Sequence, residues 1–295
     1  MTSEIGSKKF PGVGAVETGP GGLPVLSIKT PAAEARIFLL GAQLSNWRPR
    51  GFDEVLFMSA KSHFEVGQAI RGGVPVCFPG FGPRPGFPAH GFVRNRSWKL
   101  EAVEAMENDA VRAVFVTGSD DVSRVLWPHD FLVRLIFTIG RELSMELEVS
   151  NTSEAAFTFS EALHTYFIVG DVRQAAVTGL EGVSYRDFPD RSRLFDQEGS
   201  IRFVEETDRV YVNTKATCVL EDPVLKRGIV VAKTGSDTTT VWNPWIAKAA
   251  AMPDFGDDEW PGMVCIETAN AAENSVTLRP KARHSMGALI SVEHR

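Results

Sequence analysis

From Leu143 to Ser150 the chain alternates strictly, with Leu143, Met145, Leu147 and Val149 on one side and Ser144, Glu146, Glu148 and Ser150 on the other. A period of two marks a β-strand with one buried face. The preceding stretch, Phe131 to Ile139, is apolar on both sides and predicts a central strand covered on each face. Gly140-Arg141-Glu142 between them has the length of a hairpin link. Further strands are expected at Val111–Thr117, Phe157–Phe167, Cys218–Leu220, Ile229–Lys233, Thr239–Trp242, Val264–Thr268 and Ser285–Val292, punctuated by Gly, Pro, Asn and Asp. The best helical pattern, Trp245 to Met252, is short and ends at Pro253. Many strands and few short helices predict an all-β fold, a large two-layer antiparallel β-sandwich. The expected organisation is a flexible N-terminal segment over 1–14 and a single domain over 15–295. No βαβ rhythm, GxGxxG or Walker motif points to a nucleotide fold.

Composition narrows the function classes. A net charge of −6 and a pI near 5.6 disfavour nucleic acid or an anionic membrane as the main partner. An anionic substrate must then be captured by local arginines. The three cysteines, Cys77, Cys218 and Cys265, form no CxxC pair, and neither a zinc site nor a disulfide framework follows from them. The first residues lack the apolar core of a signal peptide, and no run is long enough to span a membrane. A cytoplasmic protein with reduced thiols is expected.

One segment stands apart. Ile70 to Arg94 holds six Gly, five Pro, three Arg and one His, and no acidic residue. That density of Gly and Pro predicts an extended segment broken by tight turns. Cations without a local counter-charge, Arg71 and Arg94 at its ends with Arg84 and His90 between, point to an anionic small-molecule group. At least one arginine of this region is expected to brace a loop instead, Arg84 or Arg96 first.

Elsewhere, His164 shares a strand face with Thr158, Ser160, Ala162 and Tyr166, a small and polar surface with room for a ligand. The alternative is a histidine hydrogen-bonded within a sheet. Glu267 sits in the apolar run Met-Val-Cys-Ile-Glu-Thr, where a carboxylate must be paired, hydrogen-bonded or shifted. It is either functional or a structural acid. Trp242 and Trp245 flank a turn and are either sugar-facing rings or core. Asp208 is either a hydroxyl acceptor or a surface partner of a basic neighbour.

The segments GLPVLSIKTPAAEARIFLLGAQLSNWRP, AIRGGVPVCFPGFG with PAHGFVRNRSW, EALHTYF, TDRVYVNT, VWNPWIAKAAAMPDFGDDEW and MVCIETAN, in this order, resemble the aldose 1-epimerase (mutarotase) superfamily and within it the hexose-6-phosphate branch. The resemblance implies a galactose-mutarotase-like β-supersandwich and epimerisation at C1 with no cofactor and no metal. It places the catalytic residues at His164 and Glu267, phosphate-side arginines at Arg71 and Arg94, a second active-site histidine at His90 and a hydroxyl-binding acid at Asp208. Near Gly80, where the family would have a Trp or other bulky residue, the loop FPGFGPRPGFPAHG departs from the pattern, which sets apart the fine shape of the sugar pocket and leaves the acid/base pair untouched. The implied partner is a phosphorylated hexose, glucose 6-phosphate foremost, bound by a monomer with neither nucleic acid nor membrane. Glu267 is expected to act as base at O1–H and a protonated His164 as acid at O5, each charge favouring the other. Competing readings are an aldose 1-epimerase for unphosphorylated sugar and a non-catalytic sugar-phosphate binding protein. A glycoside hydrolase would want two carboxylates.

Overall fold

The alternation over Leu143–Asn151 buries Leu143, Met145, Leu147 and Val149 completely and turns the intervening side chains outward. The computed structural model describes residues 8–187 and 193–295. Among them strands dominate, and the two α-helices are Asp121–Leu126 and Trp245–Ala251. Lys99–Ala105, Val111–Gly118, Phe131–Ile139 and Leu143–Asn151 form an antiparallel meander. Arg283–His294, Arg227–Thr234, Cys218–Asp222, Ala176–Thr178 and Ile201–Arg202 extend it to a nine-stranded sheet.

An eight-stranded sheet faces it. Its order is Phe195–Asp196, Ser184–Asp187, Thr207–Tyr211, Thr238–Asn243, Met263–Asn270, Glu161–Leu163 and Val76–Cys77, with Tyr166–Ile168 also paired to Met263–Asn270. One apolar core joins the two layers, with Phe137, Met145 and Leu147 of one sheet and Leu163, Val241 and Ile266 of the other in a single cluster. A five-stranded sheet from Lys9–Phe10 to Gln43–Pro49 packs on the same core through Leu26, Ile37 and Trp47. No helix among the described residues is long and apolar enough to cross a membrane.

Three expectations change. Phe131–Ile139 is covered on one face only: Phe131, Val133, Leu135, Phe137 and Ile139 are buried, but Leu132 is 39% exposed. Apolar residues on an outer face do not require a second layer. Of the segment 1–14, residues 1–7 lie outside the described residues, while Lys9–Phe10 pairs with Gly14–Ala15 rather than hanging free. The single strand expected over Phe157–Phe167 is three pieces. Phe157–Phe159 pairs with Val276–Leu278, whereas Glu161–Leu163 and Tyr166–Ile168 both pair with Met263–Asn270.

The interruption between the last two pieces sets the site. The ladder keeps one register across it, with Leu163 opposite Thr268 before the break and Tyr166 opposite Cys265 after it. His164 therefore falls opposite Glu267. Its own N–H leaves the ladder and bonds Pro75 O at 3.0 Å.

Candidate active site

Because period two fixes which side chains share a face, the register assembles a floor row by row. Val210, Thr240 and Glu267 are in register across three strands, and His164 continues that row. The next row is Asp208, Trp242, Cys265 and Tyr166. His164 Nε2 lies 3.4 Å from Glu267 Oε1, with both side chains almost wholly out of solvent. Tyr166 stacks on His164 with centroids 4.8 Å apart and planes 12° apart, and Trp242 stands edge-on to both rings at 5.9 and 5.8 Å. Such stacking restricts the imidazole to one orientation.

The Gly/Pro-rich segment forms the adjoining wall. It runs beside residues 160–166 as an edge that accepts more than it donates: Gly73, Pro75 and Pro79 carbonyls take the N–H groups of Tyr166, His164 and Ser160. Proline suits such an edge because it supplies an acceptor and needs no partner for an N–H. The segment then folds back so that His90 reaches His164, ring centroids 5.5 Å apart. His90 takes φ = 61°, a left-handed conformation uncommon for a residue with a side chain. Gly91 follows at φ = 74°, where a Cβ would meet Phe78 O at 2.0 Å, so only glycine fits. Beside Gly80, where the loop departs from the family pattern, Phe81 stands edge-on to His90 at 5.3 Å and the Phe87 ring lies 3.4 Å from where a Gly80 Cβ would be.

Arg71 does not present an open fork. Its Nε and Nη2 donate to Asp254 Oδ2 and Oδ1 at 3.1 and 3.2 Å, and its Nη1 donates to Tyr166 OH at 3.0 Å. A bidentate pair of this kind is strong and geometrically specific. Arg71 thus fixes the ring on which His164 stacks, a bracing contact that its place in an acid-free segment did not show. Arg94 is different. Its Nη2 donates to Ala89 O at 2.9 Å, and its buried Nε has no hydrogen-bond partner among the described residues. Loop bracing therefore falls partly on Arg94. Arg96 pairs with the Asp120 side chain, and Arg84 lies over the Phe87 ring at 5.4 Å. Asp208 lies on the floor, its side chain 14% exposed and 3.9 Å from Lys248 Nζ.

The charge state of His164 also departs from expectation. At 3.4 Å it is close enough to Glu267 for an ion pair. Burial nonetheless pushes its pKa well below the ordinary imidazole value, and the positive charges of His90, Arg94 and Arg71 push the same way. Both effects favour the neutral imidazole. Tyr166 is held protonated by burial, and burial likewise keeps the floor thiols Cys77 and Cys265 protonated and unreactive. No group of three or more His, Cys, Asp or Glu among the described residues is arranged to hold a metal ion.

The structure thus gathers His164, Glu267 and His90, sets Asp208 in the neighbouring row of the floor, and ties Arg71 to Tyr166 and Asp254, with the charges of both Arg94 and Arg71 felt at His164. Sequence reasoning missed Asp254 and gave Tyr166 no role. Tyr166 was visible as the residue two beyond His164, on its face. Asp254 lies in an acidic run whose pairing only the fold reveals.

The family model for aldose 1-epimerase matches residues 24–291. A protein of Escherichia coli K12, provisionally named glucose-6-phosphate 1-epimerase, is 37% identical over 264 residues, covering 89% of this chain and 88% of its own. A like-named protein of Cenchrus ciliaris is 37% identical over 257 residues, covering 83% and 77%. The crystal structure of YeaD from Salmonella typhimurium, provisionally described as a mutarotase, superposes with a TM-score of 0.90 at 34% identity over 98% of this chain and 96% of that one. A galactose mutarotase-like protein of Clostridium acetobutylicum shares the fold at a TM-score of 0.75 and 16% identity, covering 95% and 98%.

Proposed function

The chain belongs to the aldose 1-epimerase family and is an epimerase that interconverts sugar anomers, and from that premise we propose that its substrate is a hexose 6-phosphate, glucose 6-phosphate first. The observation that carries the proposal is the opposed His164–Glu267 pair, 3.4 Å apart and buried, in the field of a cationic wall. Inverting C1 requires removal of the O1 proton and protonation of the ring oxygen, rotation about C1–C2, and closure on the other face. Glu267 takes the O1 proton. His164 supplies the proton to O5, and the roles reverse on closure. Positioned acid/base groups contribute roughly 10²–10⁴-fold.

A neutral His164 needs a proton before it can give one. A phosphate dianion held at Arg94 works in that direction, because it offsets the positive charge of Arg94 that, after burial and together with His90 and Arg71, disfavours the imidazolium. Phosphate binding and proton uptake are then linked, which favours a phosphorylated over a plain sugar in the chemical step itself. His90 and Asp208 meet ring hydroxyls, and Trp242 offers its face to the apolar side of the ring. The catalysed α/β exchange rate of glucose 6-phosphate, read by exchange NMR, tests the reading. No acceleration over the spontaneous rate sinks it.

A further inference from the structure

On the core-facing side of the same two strands, three residues along from the His164–Glu267 pair, lies a polar cluster that no step above uses. Glu161 is fully buried, and its Oε1 accepts from Asn270 Nδ2 at 2.9 Å and sits 2.9 Å from His284 Nε2, which reaches across from the nine-stranded sheet. Asn270 Nδ2 also donates to Gly235 O at 2.8 Å, while its Oδ1 accepts from Asp237 N at 3.0 Å. Burial lowers the pKa of His284, but the hydrogen bond and charge of Glu161 outweigh it and leave the group raised.

We propose that Glu161, Asn270 and His284 are positioning residues that pin the register in which His164 faces Glu267. Glu161 stands three residues before His164, Asn270 three after Glu267, and the two are opposite one another in the Glu161–Leu163/Met263–Asn270 ladder. This ladder is three residue pairs long before it breaks at His164 and resumes in the same register for three more at Tyr166–Ile168, so only a short run of backbone pairing holds the register on either side of the catalytic pair. A slip of one residue would turn His164 to the core side. A buried carboxylate that finds its donors in only one register forbids that slip, which is the best-attested use of buried polar groups. On the far side of the break, the Arg71–Asp254–Tyr166 bonds fix Tyr166. The catalytic pair is held from both ends.

The inference rests on the assignment of His164 and Glu267 as the acid/base pair. Its test uses three variants of the whole chain. Glu161→Ala removes the pin, Glu161→Gln keeps an acceptor of the same shape, and Glu161→Leu with His284→Phe replaces the pair by apolar groups that preserve folding. For Glu161→Ala and the double variant, kcat for anomer exchange is expected to fall about 10- to 100-fold, as displacement by about 1 Å does. Binding of glucose 6-phosphate should stay within about twofold, and Glu161→Gln should recover most of the rate. Imidazole NMR signals of His164, assigned with His164→Ala, should shift in the first and third variants and not in Glu161→Gln. Should Glu161→Ala fail to fold, the double variant carries the test. Unchanged kcat and unchanged His164 signals in a folded variant overturn the positioning role. A wild-type protein without activity overturns the acid/base reading instead, and the NMR signals still decide whether the pin orients His164.

Discussion

Replacing Arg94 by alanine separates phosphate recognition from the chemistry. The guanidinium spends Nη2 on Ala89 O and keeps a buried Nε–H without a partner, so one or two of its donors are available to a phosphate. A hydrogen bond to a charged group contributes about 1.5–3 kcal/mol, and one or two of them give roughly 1.5–6 kcal/mol, or about 10- to 10⁴-fold in kcat/KM. Glucose 6-phosphate should suffer that loss in Arg94→Ala, and unphosphorylated glucose should not. Exchange NMR on both sugars, at fixed ionic strength because the contact is electrostatic, supplies the comparison. A second readout needs no substrate. Arg94 is one of the positive charges that depress His164, so its removal should raise the His164 pKa in an NMR titration of the free protein. If Arg94→Ala left the preference between the two sugars unchanged, the phosphate would lie elsewhere, and the proposed link between phosphate binding and His164 protonation would go with it.

Other consequences follow from the same geometry. Glu267→Gln and His164→Ala should each lower kcat by roughly 10²–10⁴-fold while glucose 6-phosphate binding stays detectable by calorimetry; full activity in either variant would remove that residue from the chemistry. Asp254→Asn leaves Arg71 without its bidentate partner at a site about four-fifths buried. Between an exposed and a wholly buried pair the loss should be about 2–3 kcal/mol, a fall in Tm of roughly 3–5 °C for a chain of this length, measurable by scanning calorimetry. The raised pKa of His284 means that its bond to Glu161 adds stability fully present below the unfolded imidazole value and lost as pH rises through the folded one. The Tm gap between wild type and His284→Gln should therefore be wider at pH 5.5 than at pH 8.5, and a gap that widens with pH would reverse the assignment.

The layers of the fold were legible where one face is apolar and the other is not, as at Leu143–Asn151, because burial alone decides such strands. Phe131–Ile139 misled because an outer face tolerates apolar residues that no second layer covers. His164 and Glu267 were visible as polar residues in strands that had little other use for them. Their opposition was not, since it depends on a ladder that continues in register across a two-residue break. Arg71 shows the opposite limit. A cation in a segment without acids looked free for a ligand, but its acid, Asp254, comes from a distant part of the chain. The lowering of the His164 pKa was equally hidden, because desolvation belongs to the folded site and to no motif.

The central claim is that the His164–Glu267 pair interconverts the anomers of a hexose 6-phosphate. Its most direct test is two-dimensional exchange NMR on equilibrated glucose 6-phosphate with catalytic amounts of wild-type protein, set beside the same amount of Glu267→Gln. The expected result is α/β cross-peaks that grow in proportion to wild-type protein and return nearly to the spontaneous level in the variant. Equal exchange rates with wild type, variant and buffer alone would contradict it.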